Sequence, residues 1–266
     1  MTIDGPAGVG KSTAAKLLAR RLGLMYLDTG ATYRALAYAA LHRRPKLHAV
    51  DDRPTIASLA RRLPITLRPL PDGGLQVKLV DQDITARIRT EEVSEAAAQI
   101  SQYPEVRAAM VQLQRRLASE RGVVVEGRDT GSVVFPRATY KFFLDAAPDI
   151  RARRRQLELM RLTGEKTSLA VVQSQLRFRD GLDRNRRVGP LVKPEGAIPL
   201  DTSMLTAREV VEVMMRQIGK SRPPSTVHRR PRHRATAFPR LRSGEAGRGP
   251  VGGAPASGWA ACLPRR

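Results

Sequence analysis

Cysteine is nearly absent from this chain of 266 residues. The only one, Cys262, lies among the last five residues, which excludes an internal disulfide and a multi-cysteine metal site. Histidine is scarce as well: His42, His48, His228 and His233 show no ligand spacing and read as surface residues. No apolar run approaches the ~18 residues that would mark a membrane span, and Met1 leads straight into a loop motif, not into the apolar stretch of a signal peptide. A soluble, cytoplasmic protein is expected. Acidic residues are few, 25 Asp and Glu against 47 Lys and Arg, and the resulting net charge of +22 suggests nucleic acid at first sight.

The distribution of that charge changes the reading. Residues 219–266 carry eleven Lys and Arg against one acid, Glu245, in a stretch rich in Pro, Gly and Arg with neither a helical nor an alternating apolar period. Such a segment buries too little apolar surface to offset its ordering entropy, so a disordered tail is expected. It reads as a solvated extension before it reads as an RNA-binding or membrane-surface arm, because Trp259 stands alone and no aromatics interleave the arginines.

Residues 1–218 differ, with 41 % apolar residues in the chain sufficient for a sizeable core. "LMYLD" (24–28), "VVVEG" (123–127), "YKFFLD" (140–145) and "AIPLD" (197–201) have strand length, and "TID" supplies a short first strand, either truncated or preceded by a start further upstream. Between them, Ala14, Leu17, Leu18 and Leu22 mark a helix that Gly23 can end, and residues 105–122, 148–164 and 205–218 are helical, the last opened by a capping box of Thr206 and Glu209. Strands alternating with helices predict a parallel sheet covered on both faces. Residues 65–88 break the alternation with strand, turn, strand and a third short strand, Asp72, Gly73 and Gly74 supplying the turn; an antiparallel insert of this kind can shape a substrate pocket or simply decorate the surface.

The chemistry starts at "GPAGVGKST", Gly5, Pro6, Ala7, Gly8, Val9, Gly10, Lys11, Ser12 and Thr13, which fits G-x-x-x-x-G-K-[ST] at a strand-to-helix junction. In that pattern backbone N–H groups cradle the phosphates of a nucleoside triphosphate, Lys11 neutralises the outer ones and the Ser12 hydroxyl holds Mg²⁺. An N-K-x-D motif is absent, which argues against a switch GTPase, while "YKFFLD" with Asp145 could be read as the acidic strand of an ATPase motor. Arginines decide between these. "DTGATYR", "PEVR", "EGRDTG" and "RFRDGLDRNRR" place them at strand ends or on polar helix faces. Strand carboxyl ends are where open α/β sheets bind ligands, and a guanidinium fork engages phosphate oxygens bidentately, so a kinase of a small phosphorylated substrate is expected.

Together with these, "LDTGATYRALA", "RTEEVSEAAAQIS", "YPEVRAAMVQLQRR" and "VVVEGRDTGSVVFP" make residues 2–218 resemble the bacterial cytidylate kinases, which phosphorylate CMP and dCMP with ATP in pyrimidine metabolism. The resemblance implies a P-loop nucleoside monophosphate kinase fold: a five-stranded parallel sheet flanked by helices, a monophosphate-binding insert at about 43–104 that includes the antiparallel strands, and a helical lid at about 155–187. It implies that Thr29, Tyr33 and Arg34 line the acceptor site, that Arg107 and Asp129 read cytosine, and that Arg128 meets phosphate. Arg179 and Asp183 correspond to ribose or phosphate contacts and Arg186 closes over the base. Lys11, Arg128 and Arg179 then carry catalysis, with Mg²⁺ as the cofactor, ATP and CMP or dCMP as partners, and a monomer with no nucleic-acid partner. The chain departs from the pattern at Ala98, where relatives often carry a serine that touches the base, so weaker base binding is expected. The alternatives are a kinase of UMP or AMP, and a basic nucleic-acid-binding protein with a vestigial nucleotide site.

Overall fold

The computed structural model describes residues 1–43, 53–70, 73–118, 122–164 and 166–220. In chain order it runs β1 (Thr2–Asp4), α1 (Lys11–Leu22), β2 (Met25–Asp28), α2 (Thr29–Arg43), α3 (Arg53–Arg61), β3 (Ile65–Pro69), β4 (Leu75–Leu79) and β5 (Gln82–Asp83). There follow α4 (Glu91–Ile100), α5 (Pro104–Leu117), β6 (Val123–Gly127), β7 (Lys141–Asp145), α6 (Pro148–Thr163), α7 (Leu169–Arg184), β8 (Ile198–Asp201) and α8 (Ala207–Lys220). The tail expected from residue 219 lies outside the described residues beyond Lys220, as do His48, Asp72 and residues 119–121 at the end of one expected helix.

Strands β2, β6, β1, β7 and β8 pair in that order, all in parallel, as the alternating pattern predicts. The short first strand is lengthened by the chain end itself: the Met1 amino group donates to Val123 O (2.8 Å) and Met1 O accepts from Val125 N (2.9 Å). Ile3, Val124, Phe142 and Leu144 are fully shielded and pack with Ala14 and Leu18 of α1 and with Val210 and Met214 of α8. Truncating a buried Phe such as Phe142 to Ala costs about 3–5 kcal/mol. Helix α1 ends at Gly23 in a left-handed conformation (φ 64°), and α8 starts with the reciprocal bonds of its capping box, Glu209 N to Thr206 Oγ1 (3.3 Å) and Thr206 N to Glu209 Oε2 (2.8 Å).

A second core lies to one side. Antiparallel β3–β4–β5 presents Val77 and Leu79, and Ile56, Ile100, Met110 and the alanines of α2 close around them. The turn between β3 and β4 holds Gly73 at φ 81°, with Gly73 N donating to Leu70 O (2.9 Å). The parallel sheet therefore carries the phosphate loop, and the second core brings α2 and α4 to the carboxyl ends of its strands.

Candidate active site

A cleft of about 680 Å³ opens at the carboxyl ends of the parallel strands. One wall is the loop from Gly5 to Thr13. Gly5 stands at φ 149°, where an added Cβ would lie 2.1 Å from Leu144 O, and Gly8 stands at φ 80°, its Cβ position 2.9 Å from Arg151 O; only glycine lets this loop fold so tightly against β7 and α6. No side chain caps α1, and its first turn holds no acid, so its first amides are left for an anion. Lys11 is buried and donates to Pro6 O (2.5 Å), while Val9 O accepts from Thr202 Oγ1 (3.0 Å) and Arg154 Nη1 (3.3 Å). Gly5 and Pro6 lie behind the wall, and Ala7 to Thr13 line it, with Ser12 and Thr13 exposed.

The acid beside this loop is not Asp145, which is exposed and bonds the neighbouring Ala146 N. It is Glu126, at the end of β6 next to β1, buried and hydrogen-bonded by Ser12 and by the Tyr26 hydroxyl. Burial and then the nearby Asp28 push the Glu126 carboxyl up, with Lys11 opposing them. Lys11 is itself lowered to about 7, first by burial and then by the Arg128 cation. One more buried acid ties the two halves of the site together. Asp4, the residue before the loop, accepts from Thr130 N (2.8 Å), Thr130 Oγ1 (2.8 Å) and Gly131 N (2.7 Å), and so fixes the turn that follows Asp129.

Across the cleft the expected acceptor residues come together, with one exception. Thr29, Tyr33, Arg34, Arg128, Asp129, Arg179, Asp183 and Arg186 all line it. Thr29 Oγ1 donates to Glu126 O (2.7 Å), Arg34 pairs with Asp28 (2.7 Å), and Asp183 pairs with Arg128 (2.8 Å) and Arg186 (3.4 Å). Arg107 sits behind this wall, fully buried, its guanidinium paired with Asp129 and lying 5.9 Å from the Tyr33 ring. Gly189 closes over that pair at φ 61°, and Arg186 Nη2 donates to its carbonyl (2.7 Å). Helix α4 adds Ser94, Ala97 and Ala98, and Ser101 just beyond its end, on one helical face; the hydroxyls of Ser94 and Ser101 flank Ala98.

Ten Lys and Arg but only five Asp and Glu line the cleft. Most of the cations facing the acceptor wall have a carboxylate partner. The Arg179 guanidinium makes no ion pair or hydrogen bond among the described residues, and burial followed by repulsion from Arg128 lowers it to about 10. So large a positive excess in a low-dielectric cleft suits a polyanion. Among the described residues no group of three or more His, Cys, Asp or Glu could hold a metal by itself, and no helix is long and apolar enough to cross a membrane.

The family model for cytidylate kinase matches residues 1–220. The chain belongs to the cytidylate kinase family. It is 47 % identical over 212 residues to a cytidylate kinase of Desulfitobacterium hafniense, covering 80 % of this chain and 89 % of that one. Those of a Geobacillus species and of Pasteurella multocida are 43 % and 41 % identical, over 81 % and 79 % of this chain and 94 % and 91 % of theirs. Its parallel sheet, flanking helices and separate antiparallel sheet make up the P-loop nucleoside monophosphate kinase fold of this family of phosphotransferases. Residues that sequence reasoning left unassigned at the cleft include Tyr26, Asp28, Glu126 and Arg154, with Asp4, Arg151 and Asp180 behind its wall. Asp28 and Glu126 had a signal, an acid late in an apolar strand, and the others acquire their places only through the fold.

Proposed function

We propose that this protein phosphorylates CMP and dCMP by in-line transfer of the γ-phosphoryl group of ATP to a phosphate oxygen of the acceptor. The observation that carries this is the single cleft that puts the phosphate loop opposite Arg34, Arg128, Asp129 and Arg186. The triphosphate lies along Ala7 to Thr13, with Lys11 at its outer phosphates. Arg34 and Arg128 take the acceptor phosphate, Asp129 with Arg107 behind it meets the cytosine amino group, and Tyr33, Thr29, Asp183 and Arg186 shape the rest of the acceptor pocket. The attacking phosphate oxygen is already anionic near neutral pH, so no general base is needed. Catalysis is positioning plus charge neutralisation by Lys11, Arg128 and Arg179.

Mg²⁺ fits this site. Ser12 and Glu126 offer hard oxygen donors in hydrogen-bond contact, Asp28 lies close enough to raise the Glu126 carboxyl, and a site that relies on one or two carboxylates plus phosphates is what Mg²⁺ uses. When bound it would neutralise charge on the outer phosphates. Residues 43–104 act as the monophosphate-binding insert and 155–187 as the lid, whose closure excludes water and suppresses ATP hydrolysis. We read the protein as a cytoplasmic monomer with a catalytic unit of residues 1–218. The test is coupled ATP consumption by purified protein with CMP, dCMP, UMP and AMP. Turnover highest with CMP or dCMP supports the reading, and a clear preference for UMP or AMP rejects it.

A further inference from the structure

One buried ion pair grips the phosphate loop from outside the cleft. Arg151 of α6 and Asp180 of α7 pair through Nη1 and Oδ2, and both are buried. Their remaining contacts converge on the backbone of one loop residue: Ala7 N donates to Asp180 Oδ1 (3.2 Å), and Arg151 Nη1 donates to Ala7 O (3.2 Å). The Arg151 carbonyl also lies against Gly8, where any Cβ would strike it. Ala7, Ala152, Val172 and Leu176 form a small apolar cluster around the pair.

Packing alone does not call for charges here. Desolvating two ions offsets most of their attraction, and well-packed apolar side chains of similar volume hold helices together as well or better. What the ion pair adds is direction. A carboxylate oxygen and a guanidinium nitrogen fix the orientations of the two peptides flanking Ala7, which an alkyl contact would leave free to rotate. The next residue back from Asp180 is Arg179, which reaches the cleft with no carboxylate in ion-pair contact among the described residues, so whatever holds Asp180 also holds the backbone from which Arg179 extends.

We propose that Arg151 and Asp180 form a positioning clamp, which sets the two peptides flanking Ala7 in the phosphate loop and holds Arg179 over the transferred phosphoryl group. The clamp rests on the functional reading above. It couples the two helices of the lid to the loop, so the loop's geometry depends on α6 and α7 and not on β1 and α1 alone.

The test compares Asp180→Ala, Arg151→Lys and the double variant Arg151→Met/Asp180→Ala, in the full chain, by melting temperature, ATP affinity from calorimetry and kcat with CMP. Asp180→Ala strands a buried cation and should melt early. The double variant removes that charge and should melt close to wild type, yet kcat should stay at least ~30-fold down and ATP affinity ~10-fold down, because preorganisation is lost with the clamp. Arg151→Lys keeps a cation beside Asp180, but its side chain ends one bond short of Nη1, the atom that both pairs with Asp180 and donates to Ala7 O, so near-normal melting with kcat down ~10-fold is expected. Recovery of kcat together with melting temperature in the double variant, or wild-type kcat in Arg151→Lys, would mean the pair only packs the helices and overturns the clamp. A wild-type protein that binds ATP without phosphorylating CMP overturns the functional reading instead; unchanged ATP affinity in Arg151→Lys and the double variant then overturns the clamp separately.

Discussion

Binding of ATP should draw a proton onto Lys11. In the empty cleft burial, and then Arg128, lower Lys11 from 10.5 to about 7. A lysine at that value is ~90 % neutral at pH 8, ~50 % at pH 7 and ~10 % at pH 6. A triphosphate laid along the loop puts several negative charges within reach of Nζ, which favours the charged form and keeps Lys11 protonated across this pH range. Binding should therefore take up ~0.9 proton at pH 8 and ~0.1 at pH 6, and above pH 7 affinity should fall by up to ~10-fold per pH unit. Calorimetric titrations in buffers of different ionisation enthalpy measure the uptake directly, at a pH where the phosphates of ATP are already ionised. Uptake below ~0.2 proton at pH 8 would refute the reasoning, since Lys11 would then be charged before the ligand arrives.

The same shift has a sign for stability. Because the folded value lies below the unfolded 10.5, the unfolded chain binds more protons between pH 7 and pH 10.5, and this group makes the empty protein more stable as pH rises through that window. The slope is at most ~1.4 kcal/mol per pH unit. Lys11→Met should remove this contribution to the pH dependence of melting, and should also lower kcat by several orders of magnitude if the contact supplies ~3–5 kcal/mol to the transition state.

Three further outcomes are expected. Asp129→Asn, which keeps an oxygen acceptor but loses the charge facing Arg107, should reduce kcat/KM for CMP far more than for UMP; equal losses would make Asp129 a structural partner of Arg107 only. Gly189→Ala puts a Cβ 2.3 Å from Arg107 Nη2 and 2.4 Å from Asp129 Oδ2 at φ 61°, so CMP KM should rise at least ~10-fold with ATP KM little changed, as initial-rate kinetics will report. Ending the chain after Lys220 should leave kcat and melting temperature within error of the full-length protein while weakening adsorption to RNA at low salt, because none of the site residues falls beyond that point.

The phosphate loop, the strands and the capping box of α8 were legible because each depends on neighbours within about ten residues. Helix α2 shows why others were not. Thr29, Ala31, Thr32 and Ala35 to Ala40 are all buried, so its sequence lacks the apolar stripe that marks a helix with one face in water. Glu126 was read as the end of a strand and no more, because its proximity to Ser12 comes from β6 pairing with β1 across more than a hundred residues. Arg107 has the opposite history. Its motif pointed to the base, but the fold places it behind Asp129, where its guanidinium faces that carboxylate and not the cleft.

The pairing of charges across the cleft separates holding from catalysing. Arg34, Arg107, Arg128 and Arg186 each have a carboxylate within ion-pair distance, so their guanidiniums are oriented before any ligand enters and give up little on meeting a phosphate or a base. Among the described residues Lys11 and Arg179 have none in contact. Both are lowered by burial and by the cation Arg128, and an anion beside them gives relief by favouring their charged forms. That relief is greatest where charge is concentrated between donor and acceptor, which is where the transferred phosphoryl group sits. Binding energy that Arg179 releases there is realised in the transition state more than in either ground-state complex, and such energy raises kcat without tightening the hold on ATP or CMP. Arg179→Met should then lower kcat strongly with both KM values near wild type, whereas Arg34→Met should act first on the KM for CMP. The reverse split in steady-state kinetics would show that the paired residues do the catalysis and the unpaired ones only bind.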